Sequence, residues 1–362
     1  MKKLLVISSY PAPYRIAVFE GLREKYQMDV FFSTCNDQNR NSSFFVNREE
    51  SRFFILSEKE DRKKYKEALR NIKQYSAVLA YDWYLPAALV GELYAMVHHI
   101  PYFINCDGAL PENKKGVKEL IKKFFVKHAK CCFAGGTHAR EYFLKYGAKE
   151  ENIADHRFTS LKKEMILLEP VSQSEKEKLR KELCLKNRKI VLTIGQFIER
   201  KGFDVLLEAW SDLDDEYQLL IVGGGELKES YMRLIHEKKY ENVHLLDFVP
   251  FKEIHQYYEA ADLFVLPTRE DIWGLVINEA MAYGLPVIST DRCVAGLELI
   301  EEGVNGAIVP VGDSISLHHQ MKHYLDSSIL CYQAGVESLL RIQQYTLENT
   351  VKSHLEAFTK LF

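Results

Sequence analysis

The sequence predicts an α/β protein with two doubly wound, Rossmann-like domains, an interdomain cleft and a C-terminal helix that packs on a domain surface. Three observations lead to this fold class. Short β-branched or aromatic runs alternate with longer segments whose apolar residues recur at helical spacing. A polar stretch near residues 165–186 interrupts the alternation, which then begins again. The chain has 362 residues, 47% of them hydrophobic, and is long enough to bury two cores.

The first domain is assigned to residues 1–170. Its strands are predicted at KLLVISS, MDVFFST, RFFIL, AVLAYD and PYFINC. Helices are predicted between them at YRIAVFEGLREKY, DRKKYKEALRNIKQY and LPAALVGELYAMVHH. Strands that alternate with helices indicate a parallel sheet, because each parallel connection needs a crossover segment.

The second domain is assigned to residues 171–345. Its strands are predicted at KIVLTIGQF, YQLLIVGGG, VHLLDFV, DLFVLPT, PVIST and AIVP. Residues 346–362 are predicted to form a terminal helix, because their apolar residues are spaced for one face: Val351, Leu355, Phe358 and Leu361.

Composition argues against several classes of protein. No apolar run approaches the roughly 18 residues that a membrane-spanning helix needs, and the N-terminus turns polar too early for a signal peptide. The seven cysteines are scattered and form no C-x-x-C pair, so neither a disulfide framework nor a zinc site is expected. A P-loop and a G-x-S-x-G motif are both missing from the sequence. We expect a cytoplasmic protein.

Charge is unevenly distributed along the chain. Residues 1–170 hold 28 Lys and Arg against 21 Asp and Glu, whereas residues 171–362 hold 20 against 30. The most cationic segment is residues 114–130, whose seven lysines flank an apolar stripe of Val117, Leu120, Ile121, Phe124 and Phe125. A helix of this kind either binds an anionic membrane surface or buries its stripe in the domain while its lysines stay in water.

Three strand-to-helix junctions of the second half are candidate binding sites, because open α/β sheets bind ligands beyond the carboxyl ends of their strands. The first junction, IGQFIERKGFDVLLEAW, places Gly195, Arg200 and Lys201 before Gly202 opens a helix. Two cations beside a helix N-terminus suit a diphosphate. The alternative is a solvated basic turn.

The second junction, LLIVGGGELKE, has three consecutive glycines centred on Gly224. Lys228 stands where a G-x-G-x-x-G motif requires its third glycine. The triplet is therefore either a tight turn or a ligand contact.

The third junction is PTREDIWGLVINEAMAYG. Glu270 and Asp271 precede Trp273 and Gly274, and Glu279 lies on the helix that follows. Gly274 leaves room for a phosphate over the free amides of the helix start. Acids near a helix start ordinarily complement the helix dipole, which is worth at most about 1 kcal/mol. One acid alone therefore identifies no ligand.

Together these junctions resemble glycosyltransferase family 4, the retaining nucleotide-sugar enzymes of the GT-B fold. The resemblance is carried by an acid, seven residues and a glutamate, here Asp271 to Glu279, with GLVINEAMAYGLPVI matching the family pattern nearly residue for residue. It covers the second half of the chain well and the first half loosely.

The resemblance implies roles for individual residues. Arg200 and Lys201 would neutralise the leaving diphosphate, and Glu279 would hold the ribose hydroxyls. The implied catalytic residues are Asp107, Arg200, Lys201 and Asp271. The implied donor-binding residues are Gly195, Gln196, Gly224, Val249, Glu270, Trp273, Gly274, Leu275 and Glu279.

The sequence departs from the family pattern at three of these positions. Gln196 replaces a common arginine, so one phosphate-binding cation is missing. Asp271 is one methylene shorter than the usual glutamate, which makes Glu270 an alternative first acid. Asp107, in INCDGAL, stands where a histidine is common. It would orient the acceptor or the donor sugar, or it caps the next turn.

The resemblance implies transfer of a sugar from a nucleotide diphosphate, by default a UDP-sugar, to a glycan or lipid-linked acceptor in bacterial surface polysaccharide synthesis. The first domain would bind the acceptor and the second the donor, without metal or other cofactor and without nucleic acid. The expected location is cytoplasmic, at the inner face of the membrane if residues 114–130 contact lipid. Two alternatives stay open: a GT-B nucleotide-sugar epimerase and a nucleotide-sugar-binding subunit with weak turnover.

Overall fold

The computed structural model describes residues 1–35, 52–110, 116–211, 213 and 216–361. They form two compact units: one combines Met1–Ser160 with Tyr345–Phe362, and the other is Leu161–Gln344. Each unit is built on a parallel sheet flanked by helices. The predicted pair of α/β domains is confirmed.

In the described residues, the sheet of the first unit has seven parallel strands in the order β3-β2-β1-β4-β5-β6-β7. They are β1 Lys3–Ser8, β2 Gln27–Phe32, β3 Phe54–Ile55, β4 Ala77–Ala80, β5 Tyr102–Cys106, β6 Cys131–Ala134 and β7 Ile153–Asp155. The sequence pattern missed β6 and β7. Both are too short to show a periodicity, and β6 contains two cysteines and no β-branched residue.

The helices of the first unit begin with α1 Pro13–Arg23, α2 Lys59–Arg70, α3 Pro86–Val97, α4 Val117–His128 and α5 Thr137–Lys145. Residues of α2 to α5 share one buried cluster with the sheet, including Leu69, Ala88, Phe125 and Phe143. These four helices therefore cover the same face. No helix in the described part of the chain is both long and apolar enough to cross a bilayer.

The second unit has, among its described residues, six parallel strands in the order β10-β9-β8-β11-β12-β13. They are β8 Lys189–Gln196, β9 Tyr217–Gly224, β10 Val243–Leu246, β11 Leu263–Leu266, β12 Val287–Thr290 and β13 Gly306–Val309. The helices are α6 Gln173–Glu182, α7 Phe203–Ala209, α8 Lys228–Glu237, α9 Phe251–Ala260, α10 Leu275–Ala282, α11 Val294–Leu299, α12 Ser314–Leu325 and α13 Ser328–Ile342.

The strand order of the second unit reverses between β8 and β11. The chain builds outward from β8 to β10, then returns to the other side of β8 and continues to β13. Such a reversal is where open α/β sheets bind ligands, because the loops after the two central strands diverge there. The first and third candidate junctions flank this position.

The terminal helix α14, Leu347–Leu361, packs on the first unit as predicted. It lies so close to α1 that a Cβ on Gly21 would come within 2.7 Å of the Val351 side chain. Phe358 is fully buried and makes edge contacts with the rings of Phe103 and Phe133. The helix also buries His354.

The polar stretch between the halves is not only a connection, because α6 forms within it. Ser172 begins the helix with a reciprocal capping box to Glu175. Arg180, 1% exposed, donates two hydrogen bonds to the carbonyl of Ala260 and one to Asp262 Oδ2 at 2.6 Å. A buried cation therefore attaches α6 to the strand that begins after α9.

We predict that Arg180→Met destabilises the second unit by about 3 kcal/mol, because it leaves the Ala260 carbonyl and part of the Asp262 carboxylate buried without their donor. Thermal unfolding of the full chain measures the loss. Lys178→Met, on the exposed side of the same helix, is the matched control and is expected to stay within about 0.5 kcal/mol of the parent. Equal effects of the two substitutions would contradict the assignment.

Candidate active site

The basic turn after β8 lies directly against the end of β11. Gly202 has φ 69°, and a Cβ at this position would come within 2.1 Å of the Pro267 carbonyl oxygen. The carbonyl of Arg200 accepts hydrogen bonds from the Arg269 amide at 2.8 Å and the Thr268 hydroxyl at 2.9 Å. The two central strand ends are thus joined through backbone contacts that require glycine.

Arg200 and Lys201 meet Asp271 at this junction. Lys201 Nζ donates to Asp271 Oδ2 at 2.5 Å, and Arg200 Nη1 lies 3.6 Å from the same oxygen. The Lys201 and Asp271 side chains are 11% and 14% exposed, whereas Arg200 is 43% exposed. The site therefore holds two cations against one carboxylate, and the more exposed cation faces solvent.

The two candidate first acids, Glu270 and Asp271, have different surroundings. Glu270 is exposed, and its backbone carbonyl accepts from Arg200 Nη1 at 2.6 Å. The backbone of Asp271 is fixed on both sides, because its amide donates to the carbonyl of Arg292 and its carbonyl accepts from the amide of Val294. Of the two side chains, that of Asp271 pairs with the cations.

The start of α10 is shaped by Gly274. Its φ is 103°, and a Cβ there would lie 2.9 Å from Cys293 Sγ. Trp273 is buried behind the turn, where its indole Nε1 donates to Asn278 Oδ1 at 2.8 Å. Leu275 then begins the helix. The amide of Ile277 donates to the Gly274 carbonyl at 2.9 Å, and the amides before it have no preceding turn to bond to and suit an anion.

Glu279 lies further along α10. Its Oε2 accepts from the hydroxyl of Tyr258 at 2.9 Å. Tyr258 is fully buried on α9 and stacks on Tyr283 with ring centroids 5.3 Å apart. Burial, and then the Glu279 charge, raise the pKa of Tyr258 well above its ordinary value, so the phenol stays protonated and donates. This contact orients the Glu279 carboxylate.

The remaining donor-site candidates lie along β8, β9 and β10. Gly195 and Gln196 end β8, and Gln196 is the register partner of Gly224 on β9. A Cβ on Gly223 would come within 1.8 Å of the Gly195 carbonyl, whereas one on Gly224 meets open space. Strand packing therefore explains Gly223 but not Gly224. Half-buried Val249 follows β10, two strands from β8.

The first unit holds a separate buried charge cluster at the carboxyl ends of its strands. Arg15 Nη2 donates to Asp107 Oδ2 at 2.6 Å, and its guanidinium lies 4.1 Å from the centre of the Tyr81 ring. His156 Nε2 lies 3.4 Å from Asp107 Oδ1. The Tyr81 hydroxyl shares a hydrogen bond of 2.8 Å with His354 of α14. Asp107 therefore takes part in an ion pair, and its side chain is 20% exposed.

Protonation in this cluster follows from burial and charge. Burial alone would raise the pKa of Asp107, but Arg15 and then His156 lower it to about 2. Burial lowers the pKa of His156 and, more strongly, that of His354. At neutral pH the cluster thus holds one carboxylate, one guanidinium and two neutral imidazoles.

The family described as glycosyl transferases group 1 matches residues 174–341. This segment is therefore similar to the group 1 glycosyltransferases. It contains the predicted site residues from Gly195 to Glu279.

Two curated relatives place similar segments in polysaccharide synthesis. The amylovoran biosynthesis glycosyltransferase AmsK of Erwinia amylovora is 35% identical over 138 residues, which are 35% of this chain and 33% of that protein. The lipopolysaccharide core biosynthesis glycosyltransferase LpsE of Rhizobium meliloti is 32% identical over 126 residues, covering 34% of this chain and 36% of the relative. The chain thus spans about a third of the length of each of these relatives.

A solved structure is similar over nearly the whole chain. Alr3699/HepE of Anabaena, crystallised in complex with UDP, has a TM-score of 0.81 at 18% identity, covering 99% of this chain and 100% of that one. The same protein has also been solved with UDP-glucose. The match shows that the group 1 segment is part of a GT-B fold.

The contacts of the group 1 segment include partners that the sequence did not indicate. Tyr258 was missed because a tyrosine in a helix is ordinarily a core residue. The available signal for its contact was its position near the end of α9, four residues before Asp262. In the first unit, His156 follows β7, the strand that was itself missed, and His354 lies on α14 among apolar residues. Both histidines therefore looked like structural residues.

We predict that Asp107→Asn destabilises the chain by about 2 kcal/mol at pH 7, since a lowered folded-state pKa stabilises the fold wherever the carboxyl is ionised. That contribution is complete above the ordinary Asp value near 4 and is lost as pH falls toward 2. Urea denaturation should show the same deficit at pH 7 and pH 5 and a smaller one below pH 4.

Glu24→Gln, an exposed acid just after α1, is the control and should change stability little. A deficit for Asp107→Asn that grows on acidification would contradict the role of the Arg15 ion pair.

Proposed function

We propose that the protein is a retaining glycosyltransferase that moves a sugar, by default a hexose, from a nucleotide diphosphate to an acceptor hydroxyl. A uridine nucleotide is the preferred donor. The observation that carries this proposal is the meeting of Arg200, Lys201 and Asp271 at the strand-order reversal, next to the start of α10.

The donor diphosphate is placed over the amides at the start of α10, near Arg200 and Lys201. As the bond to the sugar breaks, negative charge grows on the departing diphosphate. Fixed cations and amides stabilise this charge more strongly than the ground state, which is what accelerates the reaction. Two side-chain cations at this place support a reaction without a metal ion.

Asp271 is assigned two parts. Before the donor arrives it holds Lys201, so the cation is already in position. When the donor is bound, Asp271 faces the donor sugar. It is the first acid of the pair, and Glu279 is the second. Glu279, fixed by the Tyr258 hydroxyl, accepts from the ribose hydroxyls. The backbone near Val249 contacts the base.

The acceptor proton is assigned to the departing phosphate oxygen, which becomes basic as the sugar leaves. This chemistry places the new bond on the same face as the old one and needs no separate side-chain base. Asp107 is assigned to orient the acceptor, with Arg15 keeping its carboxylate ionised.

We place the acceptor in the synthesis of a bacterial surface polysaccharide, as a glycan or a lipid-linked sugar. The roles of AmsK in amylovoran synthesis and of LpsE in lipopolysaccharide core synthesis support this setting. The cytoplasmic face of an anionic membrane suits the lysine-rich segment 114–130. Lys114 and Lys115 lie outside the described residues, and the other five lysines are Lys118, Lys122, Lys123, Lys127 and Lys130.

The first test is ligand-dependent stability followed by turnover. UDP-glucose, UDP-N-acetylglucosamine and GDP-mannose are each added to the full chain, and a ligand of the folded state raises the unfolding temperature. We expect a uridine donor to give the largest shift and to release UDP slowly, with EDTA making no difference. Isomerised donor would indicate an epimerase, and binding without UDP release a binding subunit. Strict dependence on a divalent ion would contradict the metal-free mechanism.

The second test separates the three acids. We predict that Glu279→Ala weakens donor affinity roughly tenfold or more, because hydrogen bonds to a charged group are lost. Asp271→Asn should lower kcat more than donor affinity. Glu270→Gln is the matched control and should leave both nearly unchanged. If Glu270→Gln were damaging and Asp271→Asn silent, the acid pair would be assigned one residue out of place.

A further inference from the structure

Helix α3 has its large apolar residues on the outside. It buries Ala88, Gly91, Glu92 and Ala95 against the sheet. It exposes four larger side chains at 38–66% of their surface: Val90, Leu93, Tyr94 and Val97. A helix at the surface of a soluble domain ordinarily has the opposite distribution. Scattered apolar residues are normal at a surface, but four on one stripe of a short helix indicate a binding face.

Helix α4 continues this face. β4, β5 and β6 are neighbours in the sheet, and α3 and α4 connect them in turn on the face that α2 to α5 cover. Of the stripe predicted for α4, only Phe125 is buried. The other four are 43–73% exposed: Val117, Leu120, Ile121 and Phe124.

The exposed charges of α3 and α4 themselves, within their described residues, are of one sign. Glu92, the acid of α3, is fully buried and turned toward the sheet. Glu119, the acid of α4, pairs with Lys122 at 3.0 Å. Lys118, Lys123 and Lys127 are exposed beside the apolar residues.

We propose that α3 and α4 together form one lipid-binding face, in which α3 inserts apolar side chains and the lysines of α4 reach anionic headgroups. This inference rests on the membrane contact in the proposed function and adds to it a helix with no exposed charge. Apolar residues beside uncompensated lysines fit an anionic bilayer. They fit a second copy of this chain poorly, because a symmetric contact would bring like charges together.

The test uses the full chain and sedimentation with vesicles of equal phosphatidylglycerol and phosphatidylcholine, compared with phosphatidylcholine alone. We expect binding to the anionic vesicles only, and less of it at high salt. Leu93→Gln combined with Val97→Gln should weaken binding about tenfold. Lys123→Gln combined with Lys127→Gln should weaken it by a similar or larger factor, since each lysine near such a surface is worth about fivefold.

The control is Ile315→Gln combined with Ile329→Gln, which removes two side chains of the second unit that are 70% and 72% exposed. It should bind like the parent chain. Unfolding temperatures close to the parent's would show that each variant is folded. In addition, Leu93→Trp should show a blue-shifted emission with anionic vesicles, because the new side chain enters the bilayer. The native tryptophans are buried, so their emission should not change.

The outcomes separate the lipid-binding role of α3 from the membrane contact of α4. Parent-like binding by the α3 variant, with loss in the lysine variant, would overturn the role of α3 and leave the membrane contact of α4 intact. No binding by the parent chain would overturn the role of α3 and the membrane contact of α4. The proposed sugar transfer would still be tested separately, by the stability and turnover measurements with nucleotide sugars. A parent dimer that the α3 substitutions convert to a monomer would assign the face to a second copy and overturn the lipid proposal.

Discussion

The close approach of the chain after β8 to the end of β11 is the constraint on which the candidate site depends. Only a glycine at 202 allows it, because any Cβ there would overlap the Pro267 carbonyl. The approach brings Arg200 and Lys201 to Asp271. It also brings the basic turn next to the loop that leads to α10. A parallel sheet supplies this meeting point, because the carboxyl ends of its strands all emerge at one edge.

Neighbouring side chains hold the polar groups of the candidate site in place. The Asp271 carboxylate holds Lys201, the Tyr258 hydroxyl holds Glu279, and Asn278 holds the indole of Trp273. Each of these partners is itself buried or half-buried, so the polar groups are held in fixed directions. Fixed dipoles and charges need little reorganisation during a reaction, and for that reason such an arrangement suits stabilisation of a developing charge.

The first unit also holds polar groups in fixed directions, in a buried charge cluster around Arg15 and Asp107. A nearly buried arginine is matched by one carboxylate, and aromatic rings and neutral histidines fill the remaining space. The terminal helix contributes His354 to this cluster, so the last residues of the chain help to build the carboxyl edge of the first sheet. On the other face of that sheet, α3 and α4 present apolar side chains outward. The unit thus separates a charged, buried edge from an apolar, exposed face.

The sequence alone determined the α/β class, the restart of the pattern in the second half and the residues of the junctions, because periodicity and glycine placement are local properties of a chain. The Asp271 to Glu279 spacing likewise needed no coordinates. Tertiary structure decided what those residues contact. In the fold Asp271, and not Glu270, pairs with the cations. Glu279 accepts from the hydroxyl of Tyr258, and Asp107 pairs with Arg15, 92 residues away in the sequence. Tertiary structure also turned the apolar residues of α3 outward. Such pairings depend on which strand ends become neighbours, and helical spacing alone does not say which stripe of a helix faces the sheet.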